Sequence, residues 1–176
     1  MGKIVSFINQ KGGVGKTTTC VNMASYLAMM GKKVLLLDLD PQGNATSSLG
    51  IDKESGLKTI YNVIVDDNLL DEVIIKSKLD NLDVIPSNVD LAGAEIELVQ
   101  MNNREKVIKK ILQPIKNSYD YICIDCPPSL GLITVNGLTA SDSLIIPIQC
   151  EYFALEGLTQ LMYTIKLVKK HLNPDI

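Results

Sequence analysis

At 176 residues, 46% hydrophobic and 21% charged, the chain can bury one full core, which excludes a disordered or fibrous class. Its formal net charge of −3 argues against strong non-specific nucleic-acid binding by the chain as a whole. No apolar run approaches the ~18 residues of a membrane span, so no membrane association is expected.

Residues 3–9 (KIVSFIN) read as a strand. Residues 17–30 read as a helix, with Val21, Ala24, Leu27 and Ala28 at helical spacing and Gly31 closing it. Residues 33–39 (KVLLLDL) form a second strand, apolar on both faces as in a parallel sheet covered on both sides. Residues 59–64 and 71–76 read as short helices, and 82–86 (LDVIP) as a strand. Helices come next at 91–98 and 105–116, the second with Val107, Ile108, Ile111, Leu112 and Ile115 on one stripe. A strand at 121–125 (YICID) runs into a Pro-Pro turn, then come a helix at 132–140 and a fifth strand at 143–147 (SLIIP). A last helix spans 155–172, with Leu158, Leu161, Met162, Ile165 and Val168 facing inward.

This alternation predicts a doubly wound, mostly parallel α/β sheet with helices on both faces and right-handed crossovers, one domain over residues 1–176. Because the chain stops at residues 173–176, directly after a helix, it is expected to be incomplete at its C-terminus. Ligands of such sheets bind at the carboxyl ends of the strands. The chemically suggestive residues fall there: 9–18 after the first strand, 38–40 after the second, and Asp125 at the end of YICID.

The stretch FINQKGGVGKTTT nearly fits the phosphate-loop pattern G-x-x-x-x-G-K-S/T. Gly15, Lys16 and Thr17 fill its end, but Gln10 stands where its first glycine belongs, and a second lysine, Lys11, comes directly after it. Gly12, Gly13 and Gly15 allow a backbone anion nest ahead of the helix. Lys16 suits the β- and γ-phosphates, the Thr17 hydroxyl suits Mg²⁺, and Thr18 suits the α-phosphate. The alternative, a plain glycine turn, leaves the Lys-Thr pair without a reason.

Asp125 closes an apolar strand, where a Walker-B-type carboxylate would hold Mg²⁺ through water; the alternative is an Asp that merely opens a loop. Asp38 and Asp40 share one side of their strand by period-two alternation. One can serve Mg²⁺ or its waters while the other orients an attacking water. Asp40, nearer the strand end, is the candidate for the water, against an alternative reading as an N-cap for the segment after Pro41. No guanine-reading N-K-x-D motif occurs, so ATP is preferred over GTP. Cys123 and Cys126 have redox or metal spacing, but Cys123 sits mid-strand, no second Cys/His pair completes a zinc site, and the structural reading is preferred. The single histidine, His171, belongs to the last helical turn.

Lys11 to Thr18 (KGGVGKTT) resembles the deviant Walker A motif of the ParA/MinD superfamily of ATPases. DLDPQGN at 38–44 and IDCPPSLG at 124–131, with Pro86-Ser87-Asn88 before it, resemble the ParA/Soj branch, so the likeness covers the whole chain. The resemblance implies a Mg²⁺-dependent ATPase that assembles as an ATP-bound homodimer. The nucleotide site would comprise Lys11, Gly12, Gly13, Val14, Gly15, Lys16, Thr17 and Thr18. Lys11 would reach the partner's nucleotide as a finger supplied in trans, and Gly12 would lie where the two loops press together. Lys16 would bind phosphate, Asp40 would position or activate water, and Thr17 and Asp125, with Asp38, would serve Mg²⁺.

In relatives the cycle drives chromosome or plasmid partition. A ParB/Spo0J-like centromere-binding protein stimulates hydrolysis, and the dimer binds DNA non-specifically through basic residues beyond Ile176. The implied location is the bacterial cytoplasm, on the nucleoid. Weighed against this are a MinD-like division-site ATPase, a nitrogenase-iron-protein-like reductase and a nucleotide-gated regulatory scaffold. DPQG and PPS favour the ParA branch, and the cysteines fall in core patterns rather than in a cluster-ligating arrangement.

Overall fold

The structure, a computed structural model, describes residues 2–53, 55–65, 70–150 and 154–176. Its strands are β1 Lys3–Phe7, β2 Val34–Asp38, β3 Ile75–Lys76, β4 Leu82–Ile85, β5 Tyr121–Asp125 and β6 Ser143–Ile145. Its helices are α1 Lys16–Met29, α2 Asn44–Ser48, α3 Ile60–Val65, α4 Leu70–Val73, α5 Leu91–Val99, α6 Val107–Leu112, α7 Leu132–Ala140 and α8 Ala154–His171. They build one six-stranded sheet in the order β3-β4-β2-β5-β1-β6. Every pairing is parallel except β3 with β4. The expected doubly wound α/β architecture is therefore the observed one.

Alternation along each strand divides the core between the two faces. Val34 and Leu36 of β2, with Val5 and Phe7 of β1, pack against Cys20, Ala24 and Ala28 of α1. Small residues at i, i+4 and i+8 bring that helix close to the sheet. Leu35 and Leu37 face the other way, where α3, α5, α6, α7 and α8 supply Val63, Leu98, Ile108, Leu138 and Leu161. Cys123 packs on the α1 face and Cys126 on the opposite one, so the two thiols do not converge. Burial pushes both up to about 12, as for inert structural thiols.

Four sequence expectations need correction. Residues 71–76 are not one helix: α4 ends at Val73, and Ile75–Lys76 pairs antiparallel with β4. The β-branched run Val73-Ile74-Ile75 favours extension, and Lys76 Nζ bonds Asp83 Oδ2 at 2.7 Å. Residues 105–116 split into a 3-10 turn at Arg104–Lys106, α6 and a second 3-10 turn at Lys116–Ser118. Pro114 has no N–H with which to continue the helix. Met162 is 41% exposed. The inward stripe of α8 is Leu158, Leu161, Ile165 and Val168, and Met162 lies one position round from it. Finally, α2 has no counterpart among the expected elements; a hydrogen bond from the Thr46 N–H to the buried Asp38 carboxylate anchors it. Among the described residues no helix is long and apolar enough to cross a membrane.

Candidate functional site

Three parallel strands end at one level. Phe7 and Asp38, the last residues of β1 and β2, are both register partners of Asp125 on β5, which lies between them. The loop after β1 therefore starts level with both carboxylates, and at its end Thr17 bonds Asp125. It is tied down from the β6 side: Asn9 Nδ2 donates to the Pro147 carbonyl at 2.7 Å, and Asn9 Oδ1 accepts the Lys11 N–H at 3.0 Å. Gln10 Nε2 reaches Gln160 Oε1 on α8 at 2.9 Å, and Gln149 Nε2 reaches the Gly13 carbonyl at 3.1 Å.

Gly13 and Gly15 have φ of 74° and 87°, a region that costs glycine little. Gly15 is the N-cap of α1 and provides no side-chain bond. The first N–H groups of a fourteen-residue helix therefore open onto the loop as an anion nest.

Lys16 is buried, and its Nζ donates to the Lys11 carbonyl at 3.2 Å. Burial lowers its pKa, while the carboxylates of Asp125 and Asp40 pull the other way. Thr17 Oγ1 donates to Asp125 Oδ2 at 2.6 Å. Asp125 is fully buried, and its Oδ1 has no hydrogen-bond partner. Desolvation raises its pKa to about 7, opposed by the Thr17 bond and reinforced by Asp38 and Asp40. A hydroxyl and a carboxylate with one unused oxygen form a hard-oxygen donor set. That suits Mg²⁺, which usually takes one or two protein ligands and leaves the rest to phosphates and water.

A cleft of about 560 Å³ opens above, with Gly12, Gly13, Gly15, Lys16, Thr17 and Thr18 on one wall. Asp40, Pro41, Gln42 and Asn44 form another, and Pro127, Pro128 and Ser129 complete it. Asp40 Oδ1 accepts the Gln42 N–H at 2.9 Å, so Asp40 braces its own turn as well as lining the cleft. Val14 is buried behind the loop and Lys11 is half-buried; neither is on the cleft wall.

Asp38 is placed differently from Asp40. It is fully buried and off the cleft wall. Its Oδ1 accepts the Asp40 N–H at 3.1 Å, and its Oδ2 accepts the Thr46 N–H at 2.9 Å and the Thr46 hydroxyl at 2.7 Å. Burial lifts its pKa to about 6 despite those bonds. These contacts also explain α2. The segment NATSS has weak helix propensity, but a carboxylate from β2 receives one of its amide groups. Sequence reasoning missed Thr46 and the cleft residues Gln42 and Asn44. The DPQGN stretch was the only signal near them.

Comparison with known proteins agrees with this geometry. The AAA domain family matches residues 2–176. The chain is 59% identical over all 176 residues to the sporulation initiation inhibitor protein Soj of Bacillus subtilis, covering 70% of that protein. It is 53% identical over 176 residues to the chromosome partitioning protein ParA of Myxococcus xanthus, covering 62% of it. Among solved structures it superposes with a TM-score of 0.95 on cobyrinic acid a,c-diamide synthase of Mycobacterium smegmatis with bound ADP and magnesium. That match is 40% identical and covers 99% of this chain and 71% of that one. The chain belongs to the Soj/ParA family of P-loop ATPases.

Proposed function

We propose that this chain is the nucleotide-handling part of a Mg²⁺-dependent, dimerising ATPase that drives chromosome or plasmid partition. The observation that carries the reading is the stack of a glycine nest, buried Lys16 and the Thr17–Asp125 pair with its unused carboxylate oxygen. ATP enters with its phosphates in the nest. Lys16 takes the β- and γ-phosphates, and Thr18 the α-phosphate. Thr17 and Asp125 hold Mg²⁺, which when bound neutralises charge on the phosphate oxygens. Asp40 orients the attacking water from the opposite wall. Asp38 acts on the water's side of the site, indirectly, by accepting the Asp40 N–H.

Lys11 acts on the neighbour's nucleotide, so the site is complete only in the ATP-bound homodimer. Support comes from Gly12. A Cβ added there meets nothing within 4 Å of its own chain, and its φ is ordinary. No demand within the protomer calls for glycine at this position, which fits a demand made by a second copy. The partition role rests on the relatives at 59% and 53% identity. In that role the full-length ATP dimer binds DNA non-specifically on the nucleoid of a bacterial cytoplasm, and a ParB/Spo0J-like protein stimulates hydrolysis.

The test is light scattering of the full-length protein with Mg²⁺ and ATP or ADP, together with phosphate release. A doubled mass with ATP alone and slow, Mg²⁺-dependent phosphate release are expected. A protein that stays monomeric with ATP and releases no phosphate overturns the proposal.

A further inference from the structure

Thr46, fully buried on α2, is not among the residues lining the cleft. Its hydroxyl donates to Asp38 Oδ2 at 2.7 Å and accepts the Ser87 N–H at 3.0 Å. Its own N–H gives the same Asp38 oxygen a second bond at 2.9 Å. A carboxylate turns easily about its last torsion, and two donors on one oxygen stop that rotation. The other oxygen, Oδ1, is thereby aimed at the Asp40 N–H, 3.1 Å away.

The contact with Ser87 is close on both sides. Gly43 has φ of +60°, and a Cβ there would stand 2.7 Å from the Ser87 carbonyl oxygen. Residues 40–46 are thus pressed onto the loop after β4. A continuous line of hydrogen bonds runs from the Ser87 amide through Thr46 and Asp38 to the Asp40 backbone.

We propose that Thr46 is a positioning residue for ATP hydrolysis: through Asp38 it fixes the backbone from which Asp40 presents its carboxylate to the cleft. The proposal rests on the reading of this chain as an ATPase. Thr46 lines no part of the cleft, so its loss acts on the geometry of the hydrolytic step and spares nucleotide binding. Misplacement on the scale of 1 Å costs about a hundredfold in rate.

The experiment uses the full-length protein, with ATP affinity, saturating turnover and melting temperature measured for each variant. Thr46→Val keeps the shape and removes the hydroxyl; Thr46→Ser keeps the hydroxyl and removes a methyl. Thr46→Val is expected to lower kcat by about ten- to a hundredfold while ATP affinity stays at the parental level. Thr46→Ser is expected to recover most of that kcat even though its melting temperature falls. In an Asp40→Ala background, Thr46→Val is expected to cost no further turnover, because the group it positions is gone.

A Thr46→Val protein with parental kcat overturns the proposal, as does an equal fractional loss with and without Asp40. If Thr46→Val does not fold, Thr46→Ser decides: a kcat that falls as far as stability does overturns the proposal. A parent that binds Mg²⁺ and ATP but releases no phosphate overturns the ATPase reading and this one with it. A parent that turns over alongside an equally fast Thr46→Val overturns this one alone.

Discussion

Thr17 Oγ1 and Asp125 Oδ2 lie 2.6 Å apart across 108 residues of sequence, joining the first turn of α1 to the last residue of β5. The second oxygen of Asp125 is buried with no protein donor. Leaving such an atom unpaired costs about 1–3 kcal/mol, and a bound cation removes that cost. Replacing Thr17 with alanine is expected to weaken Mg²⁺-dependent ATP binding by at least about tenfold, in line with losing one charge-assisted contact. Calorimetric titration with and without Mg²⁺ checks it. Equal affinity in both conditions for the parent would sink the metal role.

The buried carboxylates set the pH dependence. Folding raises Asp125 from 3.8 to about 7 and Asp38 from 3.8 to about 6, so the folded state binds protons more tightly than the unfolded one. Their contribution is fully present below pH 3.8 and is lost as pH rises through about 6 and 7. Without nucleotide, stability is expected to fall across that window by on the order of 1 kcal/mol per pH unit for each group. Denaturant midpoints from pH 5 to 8 test this, and Asp125→Asn should flatten the upper part of the slope. Mg²⁺ affinity runs the other way: it weakens as pH drops below about 7, because the proton competes for the same oxygens.

Lys11→Ala is expected to leave ATP binding largely intact, since Lys16 and the nest remain, but to abolish ATP-dependent dimerisation and stimulated hydrolysis. Light scattering with ATP is the measurement. A dimer of normal mass in this variant would remove the trans role of Lys11.

Two glycines separate an intermolecular demand from an intramolecular one. In Gly12→Val the added Cβ meets no atom of its own chain within 4 Å, so its melting temperature should match the parent while ATP-dependent dimerisation is lost. Gly43→Ala forces a side chain onto a residue at φ +60°, 2.7 Å from the Ser87 carbonyl oxygen. That should destabilise the protein by about 1–3 kcal/mol. Thermal melts of the two variants, side by side, provide the contrast; a Gly12→Val protein that melts early would place the constraint inside the protomer.

Much of the site was legible because its chemistry is local. Gly13, Gly15, Lys16 and Thr17 lie within five consecutive positions, between a strand and a helix whose periods differ. Asp125 was legible because a carboxylate closing an apolar strand gains a metal role once a phosphate loop stands elsewhere in the chain. Asp38 shows where that legibility ends. Strand alternation grouped it with Asp40, but hydrogen bonds from Thr46 and Asp40 hold it away from the cleft wall. The helix α2 and the strand β3 were illegible for a related reason. Each is fixed by partners outside its own segment, Asp38 for α2 and Val84 and Asp83 for β3; the β-branched run at 73–75 favours extension but does not name the strand it pairs with.

By itself, the sequence determined the class of fold and picked out the glycine loop and Lys-Thr pair at the end of β1 as the candidate phosphate site, because hydrophobic period and motif spacing are properties of neighbouring residues. Only the tertiary structure decided that β5 inserts between β1 and β2. That insertion brings Thr17 onto Asp125 and leaves one carboxylate oxygen unpaired. It depends on strand pairing between residues more than eighty positions apart, where the energy of the whole sheet, rather than any local preference, selects the neighbour.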